Sequence, residues 1–537
     1  MRRMKHFIND RSAVVTEAIE ATVALSGGKL ARLDGFPSIK VVVRADADPG
    51  QVAVISGGGS GHEPAHAGFV GDGMLTAAVC GEIFASPSVE AVLAAIVAVT
   101  GGAGCLLIVK SYTGDRLNFG LALQKARARG LQVEMVVVGD DIAFEDSIHP
   151  RGIAGTLFVH KVAGHYARAG RSLAEVKTAA LRAASAVASI GLSLTSCSIP
   201  GQPFEERVGA NEVELGLGIH GEPGASLIPL APVRDLTEIM TKRVEDALRT
   251  ATGAPFTGRV ALLVNDLGGV PPIEMAVVTR SVLEASTREI ALVIGPERMM
   301  TSLDMKGFSI SLLALDDELE AALVSDVGPR AWPGARRPVQ LAPRPIPIAS
   351  AEHAASSHPG RRRVLETLCA TFIAKEAELD ALDAKVGDGD TGSTFATAAR
   401  AIQAELDALP FADHAALCAA LSDRLGRVMG GSSGILLAIF TAAAAGGLRA
   451  GLEAVQHHGG AKQGDRTMLD AFIPALEAME RGRSPKEVAA AARAGADATK
   501  DMTSARAGRS SHVRPEALKG TPDPGAVAVA LAFEALA

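Results

Sequence analysis

Residues Val52 to Pro64 read VAVISGGGSGHEP, an apolar run that passes directly into a glycine-rich segment. A short Val/Ile run of this kind is typical of a buried strand in an α/β domain. Ligand sites in such domains gather beyond the carboxyl ends of the strands, and glycine lets a ligand approach the backbone closely. The segment therefore predicts an α/β fold with a binding loop over Ser56–Pro64.

This loop does not match the common nucleotide-binding signatures. It lacks the Lys-Ser/Thr pair of a P-loop and the spacing of the third glycine in GxGxxG. A tight turn without a binding role is the alternative interpretation of the glycines. The loop thus predicts a ligand site but does not identify its ligand.

The same alternation of short Val/Ile/Leu runs and helical patterns extends from residue 1 to about 330, which predicts a largely parallel sheet. Ser86-Pro87 opens a helix before Val89–Val99, and Gly130 closes a helix that contains Lys125 and Arg127. The candidate strands are Val52–Ser56, Cys105–Val109, Val133–Val138, Leu215–Ile219, Val260–Val264 and Ile290–Ile294.

The segment from Pro329 to Arg363 is rich in proline and arginine and has no periodicity, which indicates an extended linker. Downstream of it, alanine and leucine recur at helical spacing and no convincing strand follows, which predicts an all-α domain. We therefore expect two α/β subdomains over 1–190 and 191–330, a linker over 331–361 and a helical domain over 362–537.

Composition favours small-molecule chemistry. The net charge is -7 and aromatic residues make up 4% of the chain, so neither a nucleic acid nor an anionic membrane is an expected partner. Five cysteines without a CxxC pair indicate reduced thiols in the cytoplasm. The amino terminus lacks the apolar core of a secretory signal, and the longest apolar stretches are interrupted or too short to span a membrane.

Two further motifs place polar residues after apolar runs. Lys110-Ser-Tyr-Thr-Gly-Asp115 follows a candidate strand, where a lysine can orient a substrate oxygen and an aspartate can accept its proton. In Gly216-Leu-Gly-Ile-His220-Gly-Glu-Pro-Gly224, glycines flank a histidine that could act as nucleophile, base or ligand. A surface ion pair and a structural histidine are the alternatives for each motif taken alone.

The most specific motif lies in the helical half, where Asp383 to Thr394 reads DAKVGDGDTGST. Asp383, Asp388 and Asp390 lie so close in sequence that they would repel one another unless divalent cations neutralise them. Magnesium takes such hard oxygen ligands and shares them with nucleotide phosphates. The helix predicted to begin at Ser393 and Thr394 adds oriented N–H groups for phosphate. The alternative is a solvated acidic turn.

Two glycine-rich turns follow. Gly430-Gly-Ser-Ser-Gly434 has the letters of a nucleophile elbow, but an elbow needs a preceding strand and Leu421–Met429 has a helical pattern. A turn that binds phosphate before a helix is therefore the better interpretation. The turn Gly520-Thr-Pro-Asp-Pro-Gly525 is rigid and could wall off a purine or ribose.

Together these motifs resemble those of the dihydroxyacetone kinases in their single-chain, ATP-dependent form. The resemblance covers nearly the whole chain and includes Met300–Ser309, MTSLDMKGFS. It implies two α/β domains that form a ketose-binding half, followed by an all-α helix barrel that binds Mg-ATP. It also implies a cytoplasmic homodimer that phosphorylates dihydroxyacetone with ATP.

By this resemblance, His220 bonds covalently to the ketone carbon and Asp115 takes the proton of the attacking hydroxyl. His62 and Lys110 orient and polarise the substrate, and the backbone of Gly59, Ser60 and Gly61 lines the pocket. Asp383, Asp388 and Asp390 match the magnesium ligands of the family. The residues expected around the nucleotide are Gly392, Ser393, Thr394, Ser432, Ser433, Thr467, Met468, Asp523, Pro524 and Gly525. His512 stands where family members often carry an aromatic residue.

Other functions stay open on the sequence alone. A kinase of the same build could act on erythrulose or another short ketose, and some relatives split FAD into a cyclic nucleotide. A regulatory module that senses a ketose and contacts a transcription factor belongs to a different class. The presence of the three aspartates together with Asp115 and His220 favours an enzyme over a sensor.

Overall fold

The computed structural model describes residues 5–35, 37–144, 147–204, 206–250, 253–346, 353–507, 511 and 513–537, without the side chains of Ser432 and Ser433. The predicted roles of those two side chains and of His512 fall outside the described residues. The chain forms two compact units, residues 1–342 and 343–537. Each unit is described by itself.

The first unit begins with a six-stranded sheet. Its strands are β1 (Leu30–Arg32), β2 (Val41–Arg44), β3 (Ala53–Ser60), β4 (Ala77–Ile83), β5 (Cys105–Lys110) and β6 (Val133–Val138). They lie in the order β1-β2-β4-β3-β5-β6, in which β3 to β6 pair in parallel and β1 and β2 join antiparallel. Strand β3 is central and buried along its whole length, so its carboxyl end positions the predicted binding loop.

A second, seven-stranded sheet follows. Its strands are β7 (Val187–Ser193), β8 (Glu212–Leu215), β9 (Ser226–Pro229), β10 (Val260–Asp266), β11 (Ile290–Glu297), β12 (Gly307–Ala314) and β13 (Ala335–Arg336). Only β10 and β11 pair in parallel, and the other neighbours are antiparallel. The prediction of a largely parallel sheet is therefore wrong here. Strands β7, β10 and β12 are buried on both faces, which gives them the continuous apolar runs typical of parallel strands.

Helices cover both sheets. The helices of this unit are α1 (Val14–Ala24), α2 (Val89–Val99), α3 (Thr113–Arg127), α4 (Thr156–Arg168), α5 (Leu173–Ser185), α6 (Val233–Ala247), α7 (Pro272–Ala285) and α8 (Asp317–Val324). One apolar core joins α4 and α5 to residues of both sheets. The outer face of the first sheet packs against α2 and α3, and the outer face of the second against α6 and α7.

The predicted strands and helix ends of this unit are confirmed with one exception. Helix α2 begins after Ser88, whose Oγ accepts the N–H of Ala91, and Gly130 follows the end of α3 with a φ of +84°. The predicted strand Leu215–Ile219 is wrong, because β8 ends at Leu215 and Gly216 turns the chain with a φ of +73°. Leu217 and Ile219 are nevertheless buried, so this apolar run reflects burial of a loop.

The second unit is helical, as predicted, and its described residues contain no strand. Its core is rich in alanine on α15, α16 and α18, which lets these helices approach closely. Its helices are α9 (Pro359–Ala374), α10 (Glu376–Asp383), α11 (Thr391–Gln403), α12 (His414–Val428), α13 (Gly431–Ala443), α14 (Leu448–Gly459), α15 (Leu469–Glu480), α16 (Pro485–Ala498), α17 (Pro515–Leu518) and α18 (Pro524–Ala535).

The division between the units falls inside the proline- and arginine-rich segment. The first part of that segment belongs to the first unit, because Ala335 and Arg336 pair with β11 and Trp332 is buried. Within the described residues, no helix has both the length and the apolar character needed to cross a membrane.

The closeness of β3 to its neighbours generates a stability prediction. A Cβ at Gly57 would lie 2.2 Å from the carbonyl oxygen of Val79 on β4, so Gly57→Ala must push the strands apart. We expect a loss of about 1–3 kcal/mol in the free energy of unfolding, the usual cost of overpacking. Gly102→Ala is the control, because no atom lies within 4 Å of its added Cβ. Urea unfolding of both variants measures the difference, and equal stabilities would contradict this packing.

Candidate functional site

The end of β3 and the loop that follows it leave no space for a side chain at two glycines. Gly61 has a φ of +97°, and a Cβ there would lie 2.8 Å from the ring of Phe84, so the position requires glycine. Gly59 is also closed to a side chain, because a Cβ would lie 2.7 Å from the backbone nitrogen of Ala85. The Ser60 hydroxyl donates to the carbonyl of Gly81 at 2.8 Å. Ser60 is therefore held in the sheet.

His62 is fully buried and has a defined tautomer. Its Nδ1 lies 2.8 Å from the carbonyl oxygen of Thr301, which can only accept, so Nδ1 carries the proton. Nε2 is then an acceptor, and it has no partner among the described residues. Burial, with the nearby Lys110 and His220, holds the pKa of His62 well below its usual value. The ring is thus neutral and can accept one hydrogen bond.

The segment Met300–Ser309 braces this loop. The N–H groups of Thr301 and Leu303 donate to the carbonyls of His62 and Gly61 at 3.1 and 2.9 Å. The Ser302 hydroxyl donates to the carbonyl of Ile219 at 2.8 Å. One short segment therefore holds both the loop that carries His62 and the loop that carries His220. The sequence contained this segment as a family motif but gave no sign of this role.

Lys110 and Asp115 meet beside Gly58. Lys110 ends β5 and Asp115 lies in the first turn of α3, and both side chains are buried. A Cβ at Gly58 would lie 3.4 Å from both Lys110 Nζ and Asp115 Oδ2, so glycine leaves room for the pair. Burial lowers the pKa of Lys110 against the opposing effect of Asp115. Burial also raises the pKa of Asp115, chiefly against Lys110, which makes this carboxylate a stronger base.

His220 lies at the border between this buried group and a cleft. Its ring centroid is 4.8 Å from that of His62 and 4.3 Å from that of Tyr112, both edge-to-face. Burial, with Lys110 and Arg151, lowers the pKa of His220 to about 3. Glu222 accepts the backbone N–H of His220 at 2.8 Å, and its carboxylate is 4.0 Å from Nδ1. The imidazole is therefore neutral and keeps a lone pair for a nucleophilic or acceptor role.

The four side chains predicted for the ketose site come together around unsatisfied polar atoms. Buried polar atoms without a partner are rare and costly, so a group of them indicates a missing ligand. Among the described residues, this group comprises His62 Nε2, Lys110 Nζ, Asp115 Oδ1 and Tyr112 Oη. It offers donors and acceptors in a small space, which suits a compact molecule with several oxygens.

The adjoining cleft has a volume of about 640 Å³. Of the predicted ketose residues, His220 lines it, whereas His62, Lys110 and Asp115 lie buried behind. Tyr112, Arg116, Arg151 and Glu222 also line the cleft and were missed by the sequence analysis. Tyr112 stands inside the quoted KSYTGD motif, so its position was a usable signal.

The second unit places the three predicted aspartates together. One oxygen from each of Asp383, Asp388 and Asp390 lies within 4.8 Å of the others. Asp383 ends α10, and its Oδ2 accepts the N–H groups of Gly389 and Asp390, each at 3.0 Å. A Cβ at Gly387 would lie 2.2 Å from Asp383 Oδ1, so a side chain there would displace this carboxylate. The three carboxylates thus lie close together in a loop whose backbone N–H groups are held by Asp383.

This donor set fits magnesium. Three carboxylates provide hard oxygen ligands, and Asp388 and Asp390 are exposed, which leaves room for water and phosphate oxygens. Without a cation, the mutual repulsion of the three charges opposes this arrangement. Asp383, Asp388 and Asp390 would therefore hold the ion.

A cavity of about 660 Å³ lies beside the aspartates. Residues at the amino ends of four long helices line it: Thr391 of α11, Gly431 of α13, Leu469 of α15 and Pro524 of α18. Helix amino ends carry partial positive charge and unpaired N–H groups, which favour phosphate. Ile435, Leu436, Ile439 and Phe395 add an apolar wall that the sequence analysis missed.

The predicted nucleotide residues divide into two groups. Thr394, Thr467, Met468, Asp523, Pro524 and Gly525 line the cavity. Gly392 and Ser393 do not, because Gly392 packs against the Glu376 carbonyl and the Ser393 N–H donates to Asp380. Buried Arg466 lines the cavity and was not predicted. Helix α12 precedes Gly430, so the rejection of a nucleophile elbow is confirmed.

Comparison with protein-family models assigns both units. A Dak1 domain matches residues 26–329 and a DAK2 domain matches residues 385–537. The chain is 47% identical to the dihydroxyacetone kinase of Citrobacter freundii, covering 99% of this chain and 98% of the relative. It is 40% identical to the human triokinase/FMN cyclase, with the same shares covered.

A solved structure supports the same likeness. The crystal structure of the dihydroxyacetone kinase of C. freundii, in complex with AMP-PNP and Mg²⁺, matches with a TM-score of 0.70 and 46% identity. The match covers 99% of this chain and 99% of that chain. The similarity therefore extends over both the mixed-sheet unit and the helical unit.

The environment of His220 generates a prediction on pH. As the pH falls, His220 takes up a proton near 6.5 in the unfolded chain but only near 3 in the folded protein. The free energy of unfolding therefore falls as the pH drops from about 6.5 towards 3. We expect the ¹³Cε1 resonance of His220 to stay constant between pH 8 and 5. The spectrum of His220→Gln assigns this resonance. A midpoint near 6.5 would contradict the described environment.

The aspartate cluster generates a prediction on metal binding. Asp388→Asn removes one charged ligand, so we expect the affinity for Mn²⁺ to fall by at least roughly tenfold, since even outer partners of metal ligands are worth that much. Electron paramagnetic resonance of free Mn²⁺ measures this without catalysis. Asp407→Asn is the control, because its carboxylate is exposed and does not line the cavity. Equal Mn²⁺ affinities of the two variants would rule out the proposed ligands.

Proposed function

Because this chain belongs to the dihydroxyacetone kinase family, we propose that it transfers a phosphoryl group from ATP to dihydroxyacetone. The observation that carries the proposal is the group of unpartnered buried polar atoms beside a neutral His220. A triose ketone has three oxygens and one electrophilic carbon, and this site offers both donors and acceptors next to a nucleophile. The product is dihydroxyacetone phosphate.

His220 provides selectivity for a carbonyl. A neutral imidazole nitrogen adds to the ketone carbon, which forms an N–C bond and opens the C=O π bond. The ring gives up one proton and the carbonyl oxygen gains one, so no further reactant is needed. The low pKa of His220, about 3, supports this step because it keeps the nitrogen unprotonated. A polyol such as glycerol has no carbon that His220 can attack.

Asp115 and its neighbours act on the hydroxyl that receives the phosphoryl group. Asp115 accepts the hydroxyl proton as the oxygen attacks the γ-phosphorus and ADP leaves. Its raised pKa and its unpartnered Oδ1 support this role. Lys110 donates to a substrate oxygen, and His62 Nε2 accepts from a substrate hydroxyl. These contacts hold the ketose still, which is the main contribution of a protein to phosphoryl transfer.

The helical unit holds the phosphoryl donor. Its four helix amino ends and its apolar wall suit the phosphates and the base of ATP. Asp383, Asp388 and Asp390 would hold Mg²⁺, which when bound neutralises charge on the triphosphate. This donor site favours an enzyme over a module that only senses a ketose.

Further features of the proposal concern organisation. We propose α/β subdomains over 1–190 and 191–330 and a helix barrel over 362–537 that takes the nucleotide at one end. Of the linker expected over 331–361, we propose only the part after Arg336, because Ala335 and Arg336 pair with β11. The separate sheets support a division near residue 190, and because β7 (Val187–Ser193) belongs to the second sheet, the boundary fits better just before Val187. A homodimer and a cytoplasmic location rest on the resemblance and, for the latter, on free thiols at all five cysteines.

ADP release after addition of each candidate acceptor tests the proposal. With ATP and Mg²⁺, we expect turnover with dihydroxyacetone and none above background with glycerol, and the erythruloses and glyceraldehyde complete the panel. His220→Ala should raise KM for the ketose and bring kcat/KM for the ketose closer to kcat/KM for glycerol. Asp115→Asn should instead lower kcat by about 10²–10⁴-fold, the usual worth of a general base.

His6→Ala is the matched control, because it removes an imidazole near the amino terminus that lines neither the cleft nor the nucleotide cavity. A crystal soaked with dihydroxyacetone gives the direct view of His220. Continuous density from its ring to the ketone carbon is the expected result. An unbonded ketone with His220 turned away would overturn the covalent step, and absence of turnover with every ketose would overturn the kinase itself.

A further inference from the structure

The cleft beside His220 contains a cation that the ketose does not need. Arg116 follows Asp115 in the first turn of α3, and its backbone N–H donates to the Tyr112 carbonyl at 2.9 Å. Its side chain lines the cleft together with Arg151 and Glu222. The Arg116 Nε is buried and has no hydrogen-bond partner among the described residues. The Nε–H of this guanidinium is therefore buried and unsatisfied.

The two arginines of the cleft differ in their partners. Arg151 lies 2.7 Å from the buried carboxylate of Asp141 and 3.6 Å from that of Glu222, and it also donates to the Gly216 carbonyl. Its charge is thus matched from within the protein. Among the described residues, Arg116 has no such ion pair, so within this part of the chain its positive charge is surplus.

A surplus charge has no counterpart in a neutral triose ketone. Hydroxyl and carbonyl oxygens are already served by Lys110, His62 and Asp115, which lie buried behind the cleft. The group transferred to the ketose is different, because a phosphomonoester carries about two negative charges at neutral pH. Arginine donates in a planar fork that matches phosphate oxygens.

The buried side of the site is closed, since His62 and Lys110 are inaccessible to solvent. A phosphoryl group must therefore enter through the cleft, and a phosphorylated ketose must leave by it. We propose that Arg116 binds this phosphoryl group and makes the cleft an anion subsite for the phosphomonoester of a short ketose. This inference rests on the proposed kinase function and adds to it the residue that recognises the product.

Calorimetry with three probes tests the inference. The probes are dihydroxyacetone, dihydroxyacetone phosphate and inorganic phosphate, each titrated into the full chain. Arg116→Met keeps the length of the stem but removes the charge. We expect it to weaken binding of both phosphate probes by about 10–100-fold, the worth of a charged hydrogen bond, while the affinity for dihydroxyacetone changes by less than about twofold. Arg116→Lys should lie between Arg116→Met and the wild type on the phosphate probes.

Arg129→Met is the matched control, because it removes one exposed arginine beyond the end of the same helix. It should bind all three probes as the wild type does. Unchanged binding of both phosphate probes by Arg116→Met would overturn the inference, as would an equal loss of phosphate and neutral ketose. If the wild type fails to bind dihydroxyacetone or to turn over ATP, the kinase proposal falls, and the comparison with inorganic phosphate still decides the role of Arg116.

Discussion

The buried ammonium of Lys110 governs the chemistry of the first unit. Its charge lies inside the protein without a hydrogen-bond partner, and it opposes protonation of every imidazole nearby. The pKa values of His62, His66, His160 and His220 are all lowered first by burial and then by Lys110. Asp115 benefits instead, since Lys110 opposes the rise that burial imposes on its pKa. Burial and this single cation together keep the histidines neutral, and the cation limits the rise in the pKa of Asp115.

The two units suit ligands of different charge. The buried part of the first unit suits an uncharged molecule, because it offers neutral rings and buried polar atoms that are expensive to leave unpaired. The second must accept a triphosphate, and it combines helix amino ends with a carboxylate loop that suits a cation. Burial away from water helps to keep the rings of the first unit neutral, whereas the exposure of Asp388 and Asp390 leaves room for a cation and phosphate in the second unit. This contrast explains why the motifs look so different in the sequence.

Local patterns predicted those parts of the structure that depend on neighbours in the chain. The strand that begins beside Val52 and the turn at Asp383 follow from residue type and spacing, but the glycines Gly57–Gly59, expected in a loop, lie within β3. The brace at Thr301 could not be predicted, because its contact with His62 spans 239 positions and leaves no periodic signal. Burial on both faces likewise concealed the antiparallel pairing of β12 with β7 and β10. The position of Tyr112 was visible, but its role required the ring of His220 beside it.

The brace also limits how the first unit can move. Thr301 and Leu303 bond to the loop that leaves the first sheet, and Ser302 bonds to the carbonyl next to His220. The two histidine loops therefore share one support, and a hinge between the sheets at this point would have to break it. A ligand that touched His220 would in consequence be linked to the end of β3 by a short chain of hydrogen bonds. A ligand that restrains one histidine loop would therefore restrain the other. The backbone amides of the two loops should then exchange their hydrogens with solvent as one cooperative unit.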